Sequence, residues 1–192
     1  MAGYLSREIP HRDVAEQMLL SALPPEVGRF LDLGTGDGRL IALVRGVHPA
    51  AEAVGLDFSQ AMLDRAAERF AGETAIDLRP HDLRDPLPDG SPYDAIVSGL
   101  AIHHLEDERK RELFGEVRER LAPGGVFANL DLVTAATPEL HERFRREIGR
   151  PEDDPADRFA PLCDQLEWLH AAGFAVVECH FKWLQMTLFV AS

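Results

Sequence analysis

The chain has 192 residues, of which 45% are hydrophobic, and a net charge of −13, which suits one domain with a single large core. This negative charge argues against a nucleic-acid partner, which requires a basic surface. No apolar run approaches the ~20 residues of a membrane span, and the first ten residues lack the apolar core of a secretory signal. The two cysteines do not have the spacing of a metal site or a disulfide framework. We therefore expect a cytoplasmic protein, monomer or homodimer, without a membrane or nucleic-acid partner.

Helix and strand patterns alternate along the chain, which predicts a parallel sheet covered by helices on both faces. The predicted helices are 11–22, 37–47, 59–70, 106–121, 138–148 and 161–171. The predicted strands are 28–34, 53–57, 74–80, 93–98, 126–133, 174–182 and 184–191, and the last two form a hairpin. Candidate helix caps are Thr35, Asp37 and Ser59. Residues 149–157, rich in proline and charge, are predicted to form a mobile loop.

A turn rich in glycine follows the first predicted strand and contains Gly34, Gly36 and Gly38. Glycine removes the Cβ atom where the backbone turns sharply and a ligand comes close. A dinucleotide fingerprint would place its third glycine at position 39, which is arginine here. Asp32 lies inside the strand, and its charge favours a ligand with an ammonium or sulfonium group over a pyrophosphate. The turn is therefore predicted to bind a cationic ligand.

Acidic residues follow the second and third predicted strands, at Asp57 and Asp82. A carboxylate at the end of the second strand can accept both hydroxyl hydrogens of a ribose. Dinucleotide-binding folds also have an acid at this position. Asp57 alone therefore does not distinguish a dinucleotide from another ligand that carries a ribose, and the residues after it have to do so.

Five segments together resemble the motifs of the class I S-adenosylmethionine-dependent methyltransferases. The glycine turn resembles motif I of that family, and residues 57–63 resemble its D-x-S-x-x-M/L run. Residues 98–105, with the sequence S-G-L-A-I-H-H-L, resemble its fourth motif. Residues 121–127 match its L-x-P-G-G turn, and residues 169–174 resemble the element before its sixth strand. The order and spacing of these segments point to the small-molecule enzymes with domains of type 11, 12 or 25.

The resemblance implies a Rossmann-like, doubly wound α/β fold with a seven-stranded sheet. This sheet would be mostly parallel, with an antiparallel last strand lying between its neighbours and helices on both faces. A single methyltransferase domain would span 1–192. In it, 1–26 would form an N-terminal lid and helix, 27–133 the cofactor-binding core, and 134–192 the substrate-side helices and terminal hairpin.

The cofactor that the resemblance implies is S-adenosylmethionine, with S-adenosylhomocysteine as the product. The candidate binding residues are Tyr4, Arg7, Asp32, Gly34, Thr35, Gly36, Asp57, Phe58, Met62, Asp82, Leu83, Ser98, Gly99 and Leu100. Asp57 would hold the ribose, Asp82 would accept from the adenine amino group, and the backbone of residues 98–100 would face the methionine part. Tyr4 would stack on the cofactor, and Arg7 would pair with its carboxylate.

His103 and His104 follow the fourth predicted strand and are the candidate catalytic residues. Either could act as a general base for an oxygen or nitrogen acceptor, because histidine titrates near neutrality. The alternative is a structural pair, with one histidine buried and the other capping. Adjacent histidines can also bind a metal, but no carboxylate lies at the helical spacing of a zinc motif. We therefore predict no metal.

The predicted activity is transfer of a methyl group from S-adenosylmethionine to an unidentified small-molecule acceptor. The alternative is a protein that binds S-adenosylmethionine without methyl transfer, as a subunit of a larger enzyme or as a carboxy-S-adenosylmethionine synthase-like enzyme. In the synthase-like case an arginine would face the added carboxyl group, and the candidates are Arg143, Arg145 and Arg146.

Residues 1–12 and 149–159 lack apolar periodicity and are predicted to form a lid that orders when ligand binds. The apolar residues predicted to line the acceptor side are Leu5, Ile9, Phe144 and Phe159. A frayed terminus and a surface loop without a role in binding are the alternative.

Overall fold

The computed structural model describes residues 9–90, 92–150 and 152–192. Predicted contacts of Tyr4, Leu5 and Arg7 therefore lie outside the described residues. The helices are α1 Arg12–Ala22, α2 Arg39–Val47, α3 Gln60–Arg69, α4 Asp107–Arg120, α5 Pro138–Ile148 and α6 Leu162–Ala171. A short 3₁₀ helix, Ile102–His104, precedes α4. None of the helices in these parts of the chain has the length and apolarity needed to cross a membrane.

The described residues form a seven-stranded sheet. Its strands are β1 Arg29–Leu33, β2 Glu52–Asp57, β3 Ile76–Pro80, β4 Tyr93–Gly99, β5 Leu121–Leu132, β6 Val177–Trp183 and β7 Met186–Ala191. Their order is β3-β2-β1-β4-β5-β7-β6. Strand β7 runs antiparallel to β5 and β6, between which it lies, and the pairs among β1 to β5 are parallel. The predicted Rossmann-like sheet, including its inserted antiparallel strand, is confirmed.

Apolar side chains cover both faces of the sheet. Helices α1, α2 and α5 pack on one face, whereas α4 and α6 pack on the other. The central strands β1 and β4 are almost wholly buried. Their continuous apolar runs are typical of parallel strands that are covered on both sides.

The loops after β1 and β4 meet at the centre of the sheet, where the strand order reverses. Ligands of open α/β sheets bind outside the carboxyl ends of the strands at this point. Gly34 follows β1 with a φ of +71°, and a Cβ atom there would lie 2.2 Å from the Cβ of Ala101, in the loop after β4. The two loops can therefore approach this closely only because residue 34 is glycine.

The predicted capping of α2 is wrong. Its N-cap is Gly38, with a φ of +81° and no capping side chain. Thr35 instead donates a hydrogen bond to Asp32, and Asp37 pairs with Arg69 at 2.7 Å. Ser59 is the N-cap of α3 as predicted, but its side chain makes no capping hydrogen bond. The glycine at position 38 thus replaces a side-chain cap with a left-handed backbone turn.

The L-x-P-G-G segment lies inside β5 rather than in a turn before it. Leu121 pairs with Tyr93 and Val126 pairs with Ala95, so residues 122–125 form an irregularity between two paired positions. Proline and glycine interrupt the pairing there without ending the strand.

The segment predicted to be a mobile loop is anchored at its end. The backbone N–H of Arg158 donates to the carbonyl of His103 at 2.8 Å, and that of Thr134 donates to the carbonyl of Ala160 at 3.0 Å. The buried ammonium of Lys110 donates to the carbonyl of Arg158. These contacts hold the loop against the 3₁₀ helix that follows β4.

Candidate cofactor and acceptor site

The carboxylate of Asp32 lies at the end of β1 and is 1% exposed. Its Oδ2 accepts a hydrogen bond from Thr35 Oγ1 at 2.6 Å, whereas Oδ1 is buried without a hydrogen-bond partner among the described residues. Burial raises the pKa of Asp32 to about 7; the Thr35 hydrogen bond opposes this, and the charge of Asp57 adds to it. An unpaired carboxylate oxygen beside a glycine turn fits the cationic ligand that the sequence predicts.

The carboxylate of Asp57, at the end of β2, is held by backbone N–H groups. Gly36 N–H donates to Oδ2 and Ser59 N–H donates to Oδ1, each at 2.8 Å. Each oxygen keeps a further lone pair for a ligand hydroxyl. The next residue, Phe58, is 73% exposed and offers an uncovered apolar ring beside the carboxylate. A diol next to a flat ring system would satisfy both residues.

Met62 packs against the glycine turn rather than in the core. A Cβ atom at Gly36 would lie 3.3 Å from Met62 Cε. The partly buried Met62 side chain therefore borders the glycine turn, and its contact with an adenine stays a prediction.

The carboxylate of Asp82, which is expected to accept from an adenine amino group, is paired with Arg84. Arg84 donates from Nε to Oδ2 at 2.9 Å and from its backbone N–H to Oδ1 at 2.9 Å. The hydrogen bonds from Arg84 hold the pKa of Asp82 below its usual range, against the opposing effect of burial. A ligand amino group would have to replace Arg84. The neighbouring Leu83 is buried, and its Cδ1 lies 4.0 Å from the Cβ position of Gly34.

Residues 98–100 shape the loop after β4 through their packing. Ser98 is fully buried, and its Oγ donates to the carbonyl of Leu33 at 2.8 Å, which ties β4 to β1. A Cβ atom at Gly99 would lie 2.9 Å from Leu40 in α2. Leu100 has a φ of +57°, and its N–H donates to the carbonyl of Leu130 at 2.8 Å. Because the Ser98 side chain is engaged within the sheet, only its backbone is left for a ligand.

His103 is buried between two carboxylates. Its Nδ1 contacts Asp131 on β5, and its Nε2 lies 3.5 Å from Asp157 Oδ1. Burial lowers the pKa of His103, but Asp131 and Asp157 outweigh it and raise this pKa to about 9. Both ring nitrogens of His103 face carboxylates, so neither is presented to solvent. The role of general base stays a prediction, for which His104 is the more accessible of the two histidines.

His104 presents part of its ring to solvent, with a side chain that is 42% exposed. Its Nδ1 lies 3.4 Å from Asp157 Oδ1 and 3.4 Å from the carbonyl of Ala156. Burial and the neighbouring charge of His103 lower the pKa of His104. The side chain is not the helix cap of the structural alternative.

Two acids of this cluster were not identified as site residues from the sequence. Asp131 interrupts the apolar run of β5, which was the available signal for it. Asp157 belongs to the loop between α5 and α6, and no local pattern marks it. It brings a carboxylate within 4.8 Å of ligand atoms of both His103 and His104. Asp157 therefore supplies a carboxylate near both histidines, although it does not lie at the helical spacing of a zinc motif.

The arginines named for the synthase-like alternative each lie near an acid. Arg143 and Arg146 pair with acids of their own helix at 3.7 and 3.9 Å, and Arg145 lies 3.8 Å from Asp153. Of the residues predicted to line the acceptor side, Phe144 is instead buried in the core, and the ring of Phe159 lies 5.8 Å from that of His103. Phe159 thus lies beside the histidine pair.

We expect Asp32→Asn to stabilise the ligand-free protein at pH 8 by about 1–2 kcal/mol, because it removes a buried charge and keeps an acceptor for Thr35. The pKa of Asp32 in the folded protein exceeds the ordinary value of 3.8. The stability that its protonated form contributes is therefore fully present below pH 3.8 and is lost as the pH rises through about 7. Urea unfolding between pH 4 and pH 8 measures the effect. Asp37→Asn, an exposed change in the same turn, is the control. A gain that does not grow with pH would contradict the buried-charge account.

The chain was compared with known proteins. Residues 31–127 match a family model described as a methyltransferase domain. The ubiquinone/menaquinone biosynthesis C-methyltransferase UbiE of Desulfotalea psychrophila is 35% identical over an alignment of 174 positions, which covers 82% of this chain and 69% of the relative. Trans-aconitate 2-methyltransferase of Streptomyces coelicolor is 36% identical over an alignment of 131 positions, which covers 66% of this chain and 41% of the relative.

Solved structures show the same fold. The S-adenosylmethionine-dependent methyltransferase SibL in its apo form superposes with a TM-score of 0.73 at 22% identity. The match covers 94% of this chain and 55% of SibL. The chain thus spans less than two thirds of SibL and of the trans-aconitate relative.

Proposed function

Because the chain belongs to the class I S-adenosylmethionine-dependent methyltransferases, we propose that it methylates a small molecule at the carboxyl edge of its sheet. The relatives named above act, by their names, in quinone biosynthesis and on trans-aconitate. Both names describe small acceptors. The proposal concerns the class of acceptor and leaves its identity open.

The residues at the glycine turn fit S-adenosylmethionine. When bound, this cofactor supplies the methyl group of its sulfonium in activated form. The unpaired oxygen of Asp32 would face the ammonium group, and the free lone pairs of Asp57 would accept from the ribose hydroxyls. Phe58 would cover one side of the adenine. The unpaired Asp32 oxygen is the observation that carries this assignment, because a buried carboxylate oxygen requires a partner.

The acceptor would lie beside His104, whose exposed ring borders the cofactor edge. Asp157, Phe159 and His141 line a cavity of about 10 Å³ behind the loop between α5 and α6. The loop is bonded to the 3₁₀ helix that follows β4 through the N–H of Arg158 and the carbonyl of His103, so it is fixed beside the histidine pair. These contacts favour a small acceptor over a macromolecule.

On the chain's side, catalysis would consist of alignment and exclusion of water. In-line transfer requires the acceptor atom and the methyl carbon to be held in contact. Holding them in this way lowers the activation free energy by several kcal/mol. The anchored loop between α5 and α6 would exclude water from that contact. His104 would orient the acceptor or remove its proton.

Methyl-labelled S-adenosylmethionine can test the proposal in a fractionated cell extract. The protein should transfer label to the fraction below about 1 kDa, and the product should gain one methyl mass by mass spectrometry. The fraction above that size, which contains protein and nucleic acid, serves as the comparison. Label that enters only the large fraction would overturn the small-acceptor proposal. Asp57→Ala should abolish transfer to either fraction at low cofactor concentration.

A further inference from the structure

We propose that His103, His104 and Asp157 bind a divalent transition-metal ion, of which Zn²⁺ is the best match, with one position open to an oxygen of the acceptor. Binding of the ion is independent of the proposed function, whereas its use by the acceptor rests on that function. The site lies on the acceptor side, apart from the glycine turn.

The spacing of the three side chains suits a shared ion. Asp157 Oδ1 lies 3.5 Å from His103 Nε2 and 3.4 Å from His104 Nδ1, and the ligand atoms of all three residues lie within 4.8 Å of one another. In a tetrahedral zinc site with bonds of about 2.0–2.1 Å, neighbouring ligand atoms are about 3.3–3.4 Å apart. The two shorter distances therefore match the edges of such a tetrahedron.

Asp157 Oδ1 is buried without a hydrogen-bond partner among the described residues, although the Asp157 side chain is only 6% exposed. Both histidine nitrogens lie near it, at 3.5 and 3.4 Å, which is long for a hydrogen bond. A buried carboxylate oxygen in this situation requires a cation or a better-placed donor. An ion between the three residues would supply that cation.

Asp131 supports His103 in the way expected of a metal ligand. It contacts His103 Nδ1 and also accepts from the backbone N–H of His103 at 2.9 Å. Metal-binding histidines usually donate their second ring N–H to a carboxylate, which fixes the ring so that the other nitrogen faces the ion. Here that contact turns Nε2 toward Asp157. Asp131 is therefore a positioning residue.

The charge and exposure of the cluster also suit a divalent ion. Asp131 and Asp157 bring two buried carboxylates to the cluster, and a divalent ion would take the place of the proton that His103 holds between them. Histidine nitrogen and carboxylate oxygen are ligands that zinc accepts, and three protein ligands leave the fourth position for water or substrate. Because His104 is partly exposed, that position can be reached from solvent. An acceptor with a hydroxyl or carboxylate oxygen could occupy it.

Calorimetry of the full chain, stripped with EDTA and titrated with Zn²⁺ alone, tests the site. One ion per chain should bind, and Co²⁺ should give the strong visible absorption of a tetrahedral site. His104→Gln, which alters a partly exposed side chain, and Asp157→Asn should each weaken binding by at least about tenfold. Asp131→Asn should weaken it by roughly 10–100-fold while circular dichroism and the Zn²⁺ stoichiometry stay unchanged.

The pair of His141 and Asp153 provides the matched control. His141 Nε2 lies 2.9 Å from Asp153 Oδ1, so it is a histidine–carboxylate pair outside the proposed ligand set. His141→Gln and Asp153→Asn should leave Zn²⁺ affinity unchanged. Absence of binding, or equal affinity in Asp157→Asn and the parent chain, would overturn the proposal.

Titration with S-adenosylhomocysteine separates this inference from the proposed function. If the cofactor product binds but Zn²⁺ does not, the metal site is disproved and the function is retained. If Zn²⁺ binds with the expected variant pattern but no small molecule is methylated, the proposed function fails and the metal site is retained.

Discussion

Asp57→Ala should weaken the binding of S-adenosylmethionine about a hundredfold. The change removes two charge-assisted hydrogen bonds to the ribose, together worth about 3 kcal/mol. It also removes the acceptor of the Gly36 and Ser59 N–H groups, which shapes the glycine turn. Calorimetric titration with S-adenosylmethionine and with S-adenosylhomocysteine should give the same loss, because both carry the ribose.

Asp77→Ala is the matched control for this change. Asp77 lies on the neighbouring strand β3, where its exposed carboxylate pairs with Arg79. Its removal should leave the cofactor dissociation constant unchanged, since exposed ion pairs contribute little. An Asp57→Ala protein that keeps the parent affinity would show that this carboxylate does not hold the ribose.

Gly34→Ala should lower the free energy of unfolding by about 3 kcal/mol, with about 1 kcal/mol from the left-handed backbone and the rest from overlap. The new methyl group would lie 2.2 Å from Ala101 Cβ, so the loops after β1 and β4 would have to separate. The thermal midpoint should fall by about 6–12 °C for a chain of this size. Differential scanning calorimetry measures both quantities.

Gly72→Ala separates backbone strain from overlap. Gly72 has a φ of +90°, but a Cβ atom there meets nothing within 4 Å. This variant should lose about 1 kcal/mol, the share due to the backbone alone. Equal losses at both positions would show that the contact with Ala101 contributes nothing.

The alternation of strands and helices could be predicted because it depends on local patterns. Buried strands such as β1 and β4 are short apolar runs, and glycine or proline marks many of their ends. The antiparallel insertion of β7 is different, since the order of strands in a sheet is not encoded in any one segment. It was expected only from the family resemblance.

The residues that gather at the glycine turn could be predicted from the sequence, and those that surround His103 and His104 could not. Asp32 and Asp57 stand beside a glycine turn in the sequence itself. The contact of His103 with Asp157 joins residues from separate loops, so no spacing in the sequence reveals it. The same holds for Asp131, which meets His103 only because β5 lies next to β4. Arg84 likewise pairs with Asp82 through a side-chain conformation that the sequence does not fix.

The position of β7 between β5 and β6 has a consequence for synthesis of the chain. Strand β6 emerges from the ribosome before β7, yet its pairing in the described sheet is with β7 alone. Until β7 follows, the outer edge of the twelve-residue β5 is unpaired and open to wrong partners. Strands β1 to β4 can pair during translation, but β5 and β6 cannot complete their pairing until β7 has been made. Nascent chains stalled before residue 186 should therefore be the ones that chaperones retain.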